Sequence, residues 1–263
     1  MQMVMDKHPS MNSRPDHATA EKMIQEIDRN LARSRNAKER AGFLLNKANL
    51  LWVLSRTNEA KDALQLALDQ VPTDPETRFA FDHLMGSFLH QEGNLREAYA
   101  LLTAALSKHR QMLDLPDRRF IYEDIQRYRA TELFALGECK DAVPVLEEIL
   151  SFESTEHKSV FLANLGNCYA RLNEHETARK RLVQAIKQGA LHDWEGLAHY
   201  DLAKTYAALR LLQDSKREFK VCAERAVTYN LPLKDIYKWL SRVCWGLGET
   251  VEAEHYAKLA QPC

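Results

Sequence analysis

Six stretches of this chain place small residues at the same points of one frame. With Ala60, Ala98, Ala142, Ala178, Ser215 and Ala253 as position 20, position 1 falls at Ala41, Phe79, Glu123, Ser159, Gly196 and Lys234. The test is what stands at positions not used as anchors. Position 8 is Ala48, Gly86, Ala130, Gly166, Ala203 and Ser241, and position 27 is Ala67, Ala105, Ile149, Ala185, Cys222 and Ala260. Eleven of these twelve are Ala, Gly, Ser or Cys, which make up only about a fifth of the 263 residues, so chance does not account for them.

The large residues complete the pattern. Position 11 is Leu51, Leu89, Leu133, Tyr169, Tyr206 and Cys244; position 24 is Leu64, Leu102, Leu146, Leu182, Phe219 and Ala257. Small residues at 8 and 20 let two antiparallel helices approach closely, while the residues at 11 and 24 fill the adjoining space. A large side chain forced into position 8 costs about 1–3 kcal/mol by overpacking. Gly86 and Gly166 inside helices each cost about 1 kcal/mol against Ala, and a packing requirement accounts for them.

The pattern resembles the tetratricopeptide repeat family, most closely in "NLGNCYARL" followed by "ETARKRLVQAI". The resemblance covers residues 41–263 as six repeats starting near 41, 79, 123, 159, 196 and 234. It implies an all-α fold, a right-handed α-solenoid of tandem antiparallel helix pairs. The departures are informative. Repeat intervals of 38, 44, 36, 37 and 38 all exceed the usual 34 or so, which implies longer helices or turns. Position 4, usually large and apolar in the family, is Asp82, Gln126 and His199 in three repeats.

Breakers agree with these boundaries. "VPTDPE" ends one helix at Pro72 and offers Asp74 as N-cap with Pro75 at the first helical position. Pro116 and Pro232 fall between repeats, and Gly93, Gly137 and Gly248 sit at the turn within theirs. Pro144 lies several residues into an expected helix, so that helix starts late, near Val143, or kinks. Ahead of the array, Met23, Ile24, Ile27 and Leu31 share one face, which predicts an N-terminal capping helix over 17–40. Residues 1–16 are expected to be disordered. No capping helix follows "ETVEAEHYAKLAQ", so self-association as a homodimer through the C-terminal repeat is a further expectation.

Composition narrows function by exclusion. Thirty-six basic residues against 37 acidic argue against nucleic acid as a partner, since such binders carry a basic excess. No apolar run of about 18 residues exists, so no membrane partner is expected. Five scattered cysteines without a CxxC pair read as reduced thiols, and "MQMVMDKHPSMNSRPDH" lacks the apolar core of a secretory signal. A cytoplasmic location follows as an expectation. There is no P-loop, GxGxxG, HExxH or GxSxG, and His83 and His90 stand seven apart, roughly 10 Å along a helix and too far for one ion. The chain is read as non-enzymatic, with no cofactor and no metal.

By resemblance, positions 2, 5, 9 and 12 of each first helix line a concave groove that binds peptides; helical spacing puts them on one face. In this chain they give Asn49 and Trp52; His83, Ser87 and His90; Arg127, Thr131 and Phe134; Asn167 with Arg171 beside it; Tyr200 and Lys204; and Lys238, Arg242 and Trp245. Arg127, Arg171, Lys204, Lys238 and Arg242 form a basic strip interleaved with Phe134, Tyr200, Trp245, Tyr128 and Trp239. Arg and aromatic residues dominate binding hot spots, so the strip suits a protein or peptide segment with acidic and apolar groups. Asp124, Asp201 and Asp235 stand close enough in sequence to neutralise part of it. Relatives that grip the C-terminal carboxylate of heat-shock chaperones place Lys and Asn at positions 5 and 9. Here those pairs are Leu45 and Asn49, His83 and Ser87, Arg127 and Thr131, and Ala163 and Asn167, so the clamp is absent. The main expectation is a scaffold or interaction module. The alternatives are a peptide- or ligand-responsive regulator, a nucleic-acid binder along the basic strip, and, with no residue constellation behind it, an enzyme.

Overall fold

The computed structural model describes residues 15–108, 119–151, 158–189, 192–228 and 231–261. The disorder expected of residues 1–16 falls, for 1–14, outside the described residues, as do Pro116 and Cys263. Among the described residues every regular element is an α-helix. Packing divides the chain into two units, residues 1–128 and 129–263.

The first unit opens with α1 (His17–Arg33), whose N-cap Asp16 accepts a hydrogen bond from the Thr19 amide. The helix expected over 17–40 stops short. Asn36 caps a new helix by accepting from the Lys38 and Glu39 amides, and α2 (Ala37–Val53) starts there. Next come α3 (Thr57–Gln70), α4 (Pro75–Gln91), α5 (Leu95–Lys108) and the first part of α6 (Arg119–Ala135). Asp74 accepts from the Thr77 amide at 2.8 Å with Pro75 in the first turn, as the "TDPE" signal predicts. One core joins α1, α2, α3 and α4 through Ala20, Ile24, Leu44, Leu51, Leu64 and Phe88. A second joins Phe79, Leu102, Ile121 and Ile125 from α4, α5 and α6.

The second unit continues with α7 (Cys139–Leu150), α8 (Lys158–Arg171), α9 (His175–Lys187), α10 (His192–Ala208), α11 (Leu212–Glu224), α12 (Leu233–Leu247) and α13 (Thr250–Leu259). Each helix from α7 to α12 packs on the next. Phe219, Cys222, Leu240 and Val243 centre one core; Leu162, Ala185 and Ala198 form another. Pro144 neither delays α7 nor marks its start: the helix runs from Cys139 through it. Pro144 and Lys140, whose carbonyl loses its amide partner to the proline, are both exposed residues.

The turn inside every repeat is the same. Ser55, Gly93, Gly137, Asn173, Arg210 and Gly248, all at position 15, adopt left-handed φ values between 60° and 82°. In each, the amide at position 16 donates to the carbonyl at position 11, and the amide at 15 to that at 12: Gly93 to His90 and Asn94 to Leu89, Arg210 to Ala207 and Leu211 to Tyr206. This six-to-one bond closes the first helix by the Schellman pattern and aims the chain back. The second helix then starts at position 17 in all six cases, at Thr57, Leu95, Cys139, His175, Leu212 and Thr250. Three of the six residues, Ser55, Asn173 and Arg210, are not glycine, so glycine positions alone do not mark every turn.

The close approach at position 8 is visible directly. A Cβ built on Gly86 would lie 2.6 Å from Leu102 Cγ, and one on Gly166 would lie 2.6 Å from Leu182 Cγ. Leu102 and Leu182 are the position-24 residues of the same repeats, so small-against-large packing across the helix pair is real.

Candidate functional site

Taking the first-helix residues of the first unit from the N-terminus, Asn49 is half-buried on α2. Trp52 stacks on Phe88 with centroids 4.0 Å apart and donates its indole N–H to Gln91 Oε1 at 2.8 Å. His83 is only 4% exposed, its Nε2 lying 2.8 Å from Asp124 Oδ2, and Ser87 is buried with its hydroxyl on the Leu84 carbonyl. His90 packs edge-on against Tyr128 at 5.0 Å. Arg127 lies 3.9 Å from both Glu123 and Asp124. The fold thus spends most of this group on its own packing: His83 is an internal residue, and Trp52 presents an edge whose N–H is already used.

The second unit differs. Thr131 and Phe134 are half-buried on α6, and the Arg171 guanidinium at the end of α8 lies over the Phe134 ring at 5.6 Å. Asn167 donates to Asp201 Oδ2 at 2.5 Å, and Lys204 donates to Asp201 Oδ1 at 3.1 Å while resting 4.9 Å over Tyr200. Tyr200 meets Phe219 edge-on, Phe219 stacks on Trp239, and Arg242 lies 5.4 Å over the Trp239 ring. Lys238 pairs with Asp235 at 2.8 Å. Trp245 is 52% exposed.

Two classes of cation emerge. Lys204 and Lys238 are held by a carboxylate three residues earlier on their own helix, the neutralisation that Asp201 and Asp235 foreshadow. Arg171 and Arg242 are exposed, lie on aromatic faces, and have no carboxylate of the described residues within 4.0 Å. A guanidinium resting on a ring is oriented before any ligand arrives and keeps its in-plane N–H donors free for a carboxylate. Burial raises the Tyr200 phenol above its ordinary pKa, with Asp235 adding to the effect, so the hydroxyl is neutral at pH 7.

Sequence reasoning named Asp201 as a neutralising charge but not as the tie between Asn167 and Lys204, and it passed over Phe219 as the floor that links Tyr200 to Trp239. Phe219 stands at position 24, where it reads as packing only. Among the described residues one group has metal-type spacing: ligand atoms of Cys244, Glu249 and Glu252 lie within 4.8 Å of one another. The Lys216 ammonium bonds both carboxylates at 2.5 Å and supplies the positive charge there. Burial pushes the Cys244 thiol up to about 11, so it is protonated at neutral pH.

No helix among the described residues is long and apolar enough to cross a membrane. No family model matches the chain, and no curated protein matches it in sequence. Solved structures do. RapI in its apo form superposes with a TM-score of 0.68 at 12% identity, over 92% of this chain and 70% of that one. The C-terminal part of a TPR repeat-containing protein from Cytophaga hutchinsonii gives 0.62 at 15% identity, covering 92% and 89%. A tetratricopeptide repeat protein from Parabacteroides merdae gives 0.59 at 17% identity, covering 87% and 82%. Identities this low establish fold and nothing further. The turns, the small-residue contacts and these superpositions agree: the chain has the fold of tetratricopeptide-repeat proteins.

Proposed function

We propose that this chain is a non-enzymatic, cytoplasmic protein-interaction module. It binds an acidic, partly apolar segment of a protein partner on the first-helix face of residues 129–263. The observation that carries the reading is the pair of exposed, carboxylate-free guanidiniums of Arg171 and Arg242, each resting on an aromatic ring, beside an exposed Trp245. Arg and Trp at such places are the residue types that carry binding energy. Asn167 and Lys204 serve the site once the partner displaces Asp201 from them. The fold supports the reading too, because stacked helix pairs leave one helix face continuous for an extended or helical segment. Residues 17–33 cap the array in this account, and residues 41–263 supply its six repeats. The chain's own second copy is a further partner, through the C-terminal helix α13, where Val251 is 83% exposed.

The test is capture from source lysate by wild type and by Arg171→Glu/Arg242→Glu, with binding of each captured partner's acidic segment then measured on purified protein. Both substitutions are at exposed positions and leave the helices intact, so circular dichroism serves as the folding control. Loss of binding by at least tenfold in the folded variant is expected. Equal binding sinks the proposal and moves the interaction elsewhere on the surface.

A further inference from the structure

The second unit holds a cavity of about 380 Å³ away from the residues of the proposed groove. Leu150, at the end of α7, and Leu162 of α8 supply its apolar lining; Lys158, Arg181, Gln184 and Lys187 supply the polar part. Among the described residues no acidic side chain lines it. Arg181 reaches Glu147 at 3.7 Å and is partly neutralised, whereas Lys158 and Lys187 have no carboxylate of the described residues within 4.0 Å. Gln184 Oε1 accepts from Arg181 at 3.4 Å, which leaves its NH₂ as a donor. The cavity therefore gathers two ammoniums, a guanidinium and a carboxamide NH₂ beside two leucines.

Charge around it points the same way. The chain as a whole is balanced, at 36 basic residues against 37 acidic. Yet α9 with its N-cap Glu174 and the start of α8 set Lys158, Arg179, Lys180, Arg181 and Lys187 against Glu174, Glu176 and the Glu147 of α7, and Arg179 already pairs with Glu176. A concave site with cations on its rim concentrates anions from solution.

We infer that this cavity is a binding site for a phosphate group carried by a small organic molecule. A phosphate offers three terminal oxygens and close to two charges, which suit the three cationic side chains in the lining, where a carboxylate offers two oxygens in one plane. The volume lies within the roughly 300–1,000 Å³ of small-molecule sites and exceeds what a bare ion fills, and Leu150 and Leu162 give an apolar body something to contact. The site is independent of the groove: Arg171, Arg242 and Trp245 do not line it.

The experiment uses the full chain and isothermal titration with inorganic phosphate, adenosine monophosphate and succinate. Saturable binding of the two phosphate probes is expected, weakening as salt rises, with succinate at least tenfold weaker. Lys158→Ala/Lys187→Ala lowers phosphate affinity at least tenfold, while Arg171→Glu/Arg242→Glu leaves it unchanged. Lys187→Ala alone, at an exposed position, repeats the comparison should the double variant lose its helical spectrum. Tighter binding of the nucleotide than of free phosphate supports an organic phosphate as ligand; equal affinities overturn that part and leave a site for the free ion. Absence of saturable binding, equal binding by the double variant, or succinate binding as tightly as phosphate overturns the site itself.

Discussion

Gly166→Ala tests the packing argument most directly, because two known effects oppose each other there. Alanine is the better helix former by about 1 kcal/mol, so a surface reading expects the substitution to stabilise α8. The structure argues the reverse. The new Cβ would sit 2.6 Å from Leu182 Cγ, 3.0 Å from its Cδ2 and 3.2 Å from the Ala178 carbonyl oxygen. Carbon atoms are comfortable at about 3.5–4.0 Å, so Leu182 must move by roughly 1 Å. It is fully buried and has no open side to move into, and the carbonyl belongs to the backbone of α9. Overpacking of this kind costs about 1–3 kcal/mol, which leaves a net loss of roughly 1 kcal/mol after the helix gain. Gly246 is the control: a Cβ there would meet only the ends of the Leu212 side chain, at 2.8 and 4.0 Å, on a half-exposed residue that can swing aside. Gly246→Ala is expected to be neutral or stabilising by up to about 1 kcal/mol. Urea unfolding followed by circular dichroism reads both. Leu182→Ala alone should cost about 2–5 kcal/mol, and adding Gly166→Ala to it should cost little more, since both contacts under 3.2 Å, those with the Leu182 side chain, have gone. If Gly166→Ala stabilises as Gly246→Ala does, or if the two changes at 166 and 182 simply add, the helices do not approach as described and the reasoning is wrong.

Three further outcomes are expected. Arg210→Gly relieves a left-handed residue at φ 62° worth about 1–2 kcal/mol, against about 0.4–1 kcal/mol of added chain entropy; a higher melting temperature is expected, and a lower one refutes the turn assignment. The hydrogen bonds from Lys216 and then Lys220 hold Glu252 down at about 2, below its ordinary 4.5. A depressed carboxyl contributes stability that is complete above its unfolded pKa and is lost as pH falls, so the urea midpoint should drop between pH 4.5 and 2 more steeply in wild type than in Glu252→Gln. Equal slopes would show that the Lys216 pairing is idle. Val251→Asp should lower any concentration-dependent mass seen by light scattering, and an unchanged association curve would remove α13 as the self-contact.

Most of the architecture was legible in the residues because close packing of two helices leaves a local mark. Only a small residue fits where backbones meet, so the alternation at positions 8, 20 and 24 could be recognised without coordinates, and Gly86 against Leu102 and Gly166 against Leu182 are its physical content. Where the rule concerned a conformation rather than a volume, recognition was partial. Gly93, Gly137 and Gly248 announced their turns, but Ser55, Asn173 and Arg210 adopt the same φ because the helices on either side compel it. The α1–α2 break at Asn36 was missed for a related reason, since a capping side chain competes with helical propensity over only one or two hydrogen bonds.

The site was legible as a face but not as a set of available groups. Spacing alone put His83, Trp52, Lys204 and Arg242 on equivalent positions. The folded chain then used His83 against Asp124, Trp52 against Phe88 and Gln91, and Lys204 against Asp201, while leaving Arg171 and Arg242 uncommitted on their rings. Helical periodicity is a property of neighbours in sequence, so the sequence by itself determined the helix pairs, the three glycine turns and the face each residue takes. Burial and pairing depend on residues brought from other helices, 34 positions away for Asn167 and Asp201 and 41 for His83 and Asp124. Only the tertiary structure decided which side chains remain free to bind.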